Sequence, residues 1–104
     1  LPSLDDGPQR VRLSDKQSSA RLTFSGAAGD SVRLTFTLDS GSTLPSYVDI
    51  RQGEFSLLYI SGERLGELSL VLNLDADGDV VLDINDYSYS VKIVSVTLER
   101  LNAE

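Results

Sequence analysis

The chain has 104 residues, 40% of them apolar and 24% charged, which is typical of one globular domain rather than of a disordered segment. Its net charge of -7 argues against nucleic acid as a partner, since phosphate binding requires a clustered basic surface. Cysteine and histidine are absent, which excludes disulfides, thiolate metal sites and catalytic groups built on either residue, and no apolar run is long enough for a membrane span.

The N-terminal residues 1–9 contain two prolines and a glycine, and they are predicted to form a lead-in segment before a single domain over residues 10–104. From there to the end, apolar and polar residues alternate, as they do in half-buried β-strands. Val11 and Leu13 predict a short edge strand. Because such strands can pair between chains, both a monomer and a weak homodimer agree with the sequence.

Two pairs of alternating runs, one around the loop 26–30 and one around the acidic loop 75–79, predict β-hairpins. In each pair we choose the register that keeps the apolar side chains on one face. The second register leaves a turn over 76–78, with Gly78 in the left-handed position. The opposed residues are Phe24 with Val32, Leu22 with Leu34 and Ala20 with Phe36 in the first hairpin, and Leu74 with Val80, Leu72 with Leu82 and Leu70 with Ile84 in the second.

The remaining strands are shorter or less regular. The turn-rich stretch 39–45 is predicted to cross between sheets, and short strands over 47–51 and 55–60 follow it. The apolar parity of the last strand changes near Ile93 and Val94, which predicts a β-bulge there. About eight strands and no helical period favour an all-β fold: an antiparallel two-sheet sandwich of jelly-roll type, with a closed barrel as the alternative.

The acidic loop contains alternating aspartates, Asp75, Asp77 and Asp79, as calcium loops do. Its flanks are strands, and Val80 stands where a helix-flanked calcium loop needs glycine, so that motif is rejected. The hairpin register sets Asp75 opposite Asp79, which is mildly unfavourable unless a cation lies between them. We favour a solvated hairpin with no cofactor, and the alternative is a calcium site at these three aspartates.

The tyrosines are the candidate ligand-binding residues, since aromatic rings on one strand face can stack on sugar rings. Tyr87 and Tyr89 lie two residues apart and so share a face of a strand, and Tyr47 and Tyr59 lie on the two short strands. The alternative is that these rings pack in the core or at the rim of the sandwich.

The arginines at polar strand positions form either a basic stripe or a solvated face with cross-strand partners, and we favour the second interpretation. They are Arg12, Arg21, Arg33 and Arg51.

No catalytic arrangement emerges from the sequence. The 16 acidic residues include no pair in the apolar context that glycoside hydrolysis requires, and the chain is too short to frame a substrate cleft. The serines have neither an activating histidine nor a Ser-x-x-Lys motif. We therefore predict that the domain is not an enzyme.

The stretch Ser19–Phe36, which reads SARLTFSGAAGDSVRLTF, resembles the opening of bacterial pre-peptidase C-terminal domains. There an amphipathic strand leads through a small-residue loop ending in Gly-Asp or Gly-Gln into a second alternating strand. Leu72–Ile84 resembles the closing hairpin of that family. The resemblance implies a jelly-roll-like accessory domain attached to secreted proteases, other extracellular enzymes or surface proteins. Some members bind calcium or extracellular polymers such as collagen or polysaccharide.

Two functions are therefore expected. The first is a non-catalytic accessory or interaction domain of a secreted or periplasmic bacterial protein. It would aid folding, secretion or adhesion, and its partners would be other domains of the parent protein or an extracellular polymer. The alternative is a carbohydrate-binding module that presents Tyr59, Tyr87 or Tyr89 to a polysaccharide.

Overall fold

The computed structural model describes residues 1–41, 44–61, 66–88 and 90–101. In this part of the chain a short 3-10 turn, Leu4–Asp6, precedes eight strands in two antiparallel sheets of four. We call β1-β8-β3-β6 the back sheet and β2-β7-β4-β5 the front sheet. The strands are β1 Gln9–Leu13, β2 Ser19–Gly26, β3 Ser31–Ser40, β4 Tyr47–Gln52, β5 Phe55–Ser61, β6 Glu67–Asn73, β7 Gly78–Asn85 and β8 Lys92–Arg100. The predicted all-β two-sheet sandwich is confirmed.

The order of the strands is that of one long hairpin rolled into two layers. β4 pairs with β5 across the turn at Gly53, β3 with β6, β2 with β7, and β1 with β8. Rolling such a ribbon places successive strand pairs in opposite sheets, which is the jelly-roll arrangement. The predicted strands at 47–51 and 55–60 are β4 and β5, which form a hairpin. The predicted edge strand at Val11 and Leu13 is β1.

The two predicted hairpins are wrong. β2 and β3 lie in different sheets, as do β6 and β7, so Phe24 pairs with Val80 instead of Val32, and Leu72 pairs with Val32 instead of Leu82. Alternation fixes which face a side chain occupies but not which strand lies beside it, and the true pairing keeps the same apolar faces together.

The loops 27–30 and 74–77 are arches that carry the chain from one sheet to the other. They are hydrogen-bonded to each other, with the Gly29 amide donating to the Leu74 carbonyl at 2.8 Å and the Leu74 amide donating to the Asp30 carbonyl at 2.8 Å.

The predicted phase change in the last strand is also wrong. β8 begins at Lys92, and its buried residues Lys92, Val94 and Val96 keep a single parity. Tyr87 precedes the strand. The irregularity lies on the neighbouring strand β3, between Leu38 and Ser40 and opposite Val94 and Ile93.

The core lies between the sheets, and Phe24 and Phe36 are its largest side chains. The segment before β1 closes one side: Leu4 is buried, and the Thr23 amide at the edge of the front sheet donates to the Pro2 carbonyl at 3.0 Å. Among the described residues, no helix has the length and apolar character needed to cross a membrane.

Candidate binding face

The outer face of the front sheet carries the candidate site. On β4, Val48, Ile50 and Gln52 are buried, so the alternate residues Tyr47, Asp49 and Arg51 face outward. The register continues this face across the sheet in rows. One row consists of Ser19, Asn85, Tyr47 and Ser61, and the next of Arg21, Asp83, Asp49 and Tyr59.

Three tyrosines from separate elements meet at one end of this face, and we call them the tyrosine cluster. The ring of Tyr47 on β4 stacks against that of Tyr59 on β5, with centroids 5.5 Å apart and planes at 30°. On its other side it meets Tyr87, also at 5.5 Å, with planes at 43°. Tyr59 and Tyr87 remain 56% and 57% exposed, so the two flanking rings present most of their surface to solvent.

A hydrogen bond joins the hydroxyls of Tyr47 and Tyr87 at 2.9 Å. This bond, together with burial and the nearby Asp83 carboxylate, raises the pKa of Tyr47 to about 12. Tyr47 is therefore neutral at physiological pH, and the joined hydroxyls keep donor and acceptor capacity beside the rings.

Sequence reasoning singled out Tyr59 and Tyr87, and the structure brings both together through Tyr47. Tyr87 lies outside the strands, so the predicted strand position of this residue is wrong. Tyr87 reaches the cluster from the connection between β7 and β8. Tyr89 lies outside the described residues.

A shallow groove of about 660 Å³ lies on the same face, and it is lined by Asp49 and Asp83 from the row that contains Tyr59 but by none of the three tyrosines. Its walls combine Phe55, which is 70% exposed, with paired charges. Arg21 contacts Asp83 at 3.5 Å, and Arg51 contacts Asp49 at 3.9 Å. The face thus offers aromatic surface next to fixed hydrogen-bonding groups, the combination found in binding sites for small polar molecules.

The four candidate arginines do not form one stripe. Arg12 and Arg33 are on the back sheet, whereas Arg21 and Arg51 are on the front sheet. Arg33 pairs with Glu99 at 2.8 Å and Arg21 with Asp83, each on a neighbouring strand, which agrees with the favoured interpretation of solvated faces with cross-strand partners at these two positions. The partner of Arg51 is Asp49 of its own strand.

The candidate metal ligands do not form the predicted hairpin. Asp79 lies on β7 opposite Ser25, and Asp77 accepts the Ala28 amide at 2.9 Å, so Asp77 ties the two arches together. Among the described residues, no three His, Cys, Asp or Glu side chains are grouped to hold a metal ion. The face-to-face arrangement of Asp75 and Asp79 is therefore absent, and calcium binding stays a prediction without that geometric support.

A buried ion pair next to the cluster was missed from the sequence. The Lys92 ammonium lies 3.0 Å from the Asp86 carboxylate, with side chains 0% and 3% exposed. Asp86 also accepts hydrogen bonds from Ser46 at 3.1 Å and Ser88 at 2.6 Å. The sequence does contain a sign that Lys92 is buried, because this residue shares the parity of Val94 and Val96 in β8.

Burial alone would raise the pKa of Asp86. The hydrogen bonds from Ser88, Lys92 and Ser46, and the charge of Lys92, outweigh burial and hold the pKa of Asp86 below its usual value. The carboxylate is therefore ionised at neutral pH despite its position.

Comparison with known proteins gives likeness of fold only. No protein-family model matches the chain, and no curated protein matches it. Among solved structures it is similar to the pre-peptidase C-terminal domain of a collagenase from Bacillus anthracis, with a TM-score of 0.71 and 10% identity over 88% of this chain and 87% of that one. It is also similar to a CBM4 module, with a TM-score of 0.61 and 12% identity over 91% of this chain and 72% of that one. The chain thus has a fold like that of pre-peptidase C-terminal domains.

Proposed function

We propose that this domain is a non-catalytic binding module of a secreted or periplasmic bacterial protein, and that its tyrosine cluster binds an extracellular polysaccharide. The observation that carries the proposal is the meeting of Tyr47, Tyr59 and Tyr87 on one exposed face. Aromatic rings cover the apolar faces of sugar rings, and clustered, solvent-exposed rings in a monomer mark an interaction site.

The surroundings of the cluster support a sugar ligand over an apolar one. Asn85, Asp83 and Asp49 lie in the rows beside the rings, and their amide and carboxylate groups can exchange hydrogen bonds with sugar hydroxyls. The fold likeness to a CBM4 module agrees with this proposal. The likeness to the collagenase domain supports a place in a secreted protein.

Affinity electrophoresis through gels containing mixed-linkage β-glucan, xylan or soluble chitin derivatives tests the proposal. We expect at least one polymer to retard the wild-type domain. Tyr59→Ala and Tyr87→Ala should each weaken binding about tenfold, because loss of one stacked ring costs roughly 1.4 kcal/mol. Val71→Ala removes a side chain that is 53% exposed on β6 of the back sheet, and this matched control should bind like the wild type. Free migration through every polymer would contradict the proposal.

A second candidate is an accessory domain that contacts its parent protein and aids folding or secretion. The higher TM-score of the collagenase domain favours it. In that case no polymer retards the domain, and the tyrosine variants lose affinity for the parent protein's other domains instead.

A further inference from the structure

The position of Tyr87 in the cluster is not set by a strand ladder. β7 ends at Asn85 and β8 begins at Lys92, so Tyr87 belongs to the connection between them. Its backbone is held from the side: the Tyr87 amide donates to the Ser46 hydroxyl at 2.9 Å. Ser46 directly precedes Tyr47, so this one bond couples the two elements that carry the neighbouring rings.

The orientation of the Ser46 hydroxyl is set in turn by Asp86. A hydroxyl has one proton, and an ionised carboxylate can only accept, so Ser46 must donate its proton to Asp86, at 3.1 Å. This leaves the Ser46 oxygen free to accept from Tyr87. If Asp86 were neutral, it could itself donate, and the orientation of Ser46 would no longer be defined.

Lys92 keeps that carboxylate ionised and in place. Its ammonium is fully buried, lies 3.0 Å from Asp86, and is also 3.5 Å from the Leu44 carbonyl. The Asp86 backbone is anchored independently, because its amide donates to the Ser18 carbonyl at 2.8 Å. A continuous path of short contacts therefore runs from Lys92 through Asp86 and Ser46 to Tyr87.

We propose that the buried pair of Lys92 and Asp86, acting through the Ser46 hydroxyl, is a positioning device that holds Tyr87 against Tyr47 before a ligand arrives. The functional part of this inference rests on the proposed polysaccharide site. Preorganisation of this kind raises affinity by lowering the entropy lost when side chains are ordered on binding. Ser46, Asp86 and Lys92 are thus positioning residues, and none of them needs to touch the ligand.

Ser46→Ala tests the device, because it breaks the path to Tyr87 and leaves the ion pair intact. The first readout needs no ligand: the titration of each tyrosine, followed by NMR of ring-labelled protein. When Tyr87 is released, the pKa of Tyr47 should fall from about 12 toward its ordinary value of 10.0. Tyr87→Phe removes the hydroxyl that bonds to Tyr47 and so shows the largest fall in the Tyr47 pKa to expect. Ser46→Thr keeps a hydroxyl and should retain the high pKa. Asp86→Asn should lower the pKa as Ser46→Ala does.

Ser69→Ala is the matched control, since Ser69 is an exposed serine on β6 that hydrogen-bonds with Thr35 far from the cluster. The second readout is affinity for mixed-linkage β-glucan, xylan and soluble chitin derivatives, for which we expect Ser46→Ala to lose about as much as Tyr87→Ala, roughly tenfold. If Ser46→Ala lowers the pKa of Tyr47 but the wild type binds no polymer, the positioning device is upheld and the polysaccharide site is rejected. An unchanged Tyr47 pKa in a folded Ser46→Ala protein would overturn the device.

Discussion

Lys92 occupies a place in β8 that alternation assigns to an apolar side chain. Its neighbours of the same parity, Val94 and Val96, are fully buried, and so is Lys92. A buried ammonium is costly to desolvate, and only a close, fully hydrogen-bonded carboxylate offsets that cost. Among the buried residues of the described chain, Asp86 supplies it. Alternation within β8 marks Lys92 as facing the core, but its contact with Asp86 depends on how the connection between β7 and β8 packs, which the sequence does not show.

Replacing Lys92 by methionine should lower the free energy of unfolding by about 3–5 kcal/mol, because Asp86 is left as an uncompensated buried charge. The double variant Lys92→Met with Asp86→Leu should recover much of the loss. Urea denaturation measures both. Lys16→Met is the control, since Lys16 is exposed, and it should be neutral. A loss no larger than that of the control would show that the pair is not buried as described.

Asp86 should also shape the response to acid. Its native pKa is below the ordinary 3.8, so the unfolded state binds the proton first as the pH falls. Ionised Asp86 therefore contributes its full stability above about pH 4 and loses that contribution as the pH falls through its native pKa. Urea unfolding at a series of acidic pH values should give a flatter profile for Asp86→Asn than for the wild type. The exposed Asp15→Asn is the control, and equal slopes for Asp86→Asn and wild type would refute this assignment.

The strands show where sequence reasoning succeeds and where it stops. The alternation located the strands and the residues that face the core, because a period of two follows from backbone geometry. It did not identify which strands pair, because a hairpin and an arch both turn the same apolar face toward the core. Leu22 opposite Leu34, as predicted, is as good an apolar pair as Leu22 opposite Leu82, as found. For the candidate site, it singled out Tyr59 and Tyr87, which the structure places in contact with Tyr47. It could not find the hydrogen bond from Tyr87 to Ser46, since these residues are 41 positions apart.

The end of β2 requires a residue without a side chain at Gly26. A Cβ atom there would lie 2.9 Å from the Gly78 carbonyl oxygen, the Leu74 side chain and the Gln52 amide. Gly26→Ala should therefore destabilise the protein by roughly 1–3 kcal/mol through overpacking, as measured by thermal or urea unfolding. Ala28→Ser, at an exposed position in the arch that follows Gly26, is the control. Wild-type stability of Gly26→Ala would mean that the end of β2 is not packed against Gly78, Leu74 and Gln52 as described.

At the scale of the whole fold, the described residues cover the two open sides of the sandwich to different extents. Next to β1 and β2, Leu4 enters the core, and the residues around it cover the edge of the front sheet. At the same end, Arg100 contacts Asp5 at 2.7 Å and Asp30 at 3.4 Å, which joins the first segment to the last strand. Along β5 and β6, in contrast, Leu57, Leu58, Leu68 and Leu70 are only partly buried.

If the first segment is part of the folded unit, Leu4→Ala should lower the free energy of unfolding by roughly 2–3 kcal/mol, near the low end for a buried leucine because the site lies at the margin of the core. Leu1→Ala is the matched control, since Leu1 is 71% exposed. Thermal unfolding separates the two variants. Equal melting temperatures would mean that this segment does not seal the sandwich.

NMR mapping shows whether sugars bind at the tyrosine cluster. Isotope-labelled protein is titrated with soluble oligosaccharides of β-glucan, xylan and chitin, and amide shifts are followed over both sheets. We expect saturable shifts at Tyr47, Asp49 and Tyr59 on the front sheet and at Tyr87 in the connection between β7 and β8, and none at Thr35, Ser69 and Thr97 on the outer face of the back sheet. Shifts confined to the back sheet, or no saturable shift with any of the three sugars, would contradict binding at the tyrosine cluster.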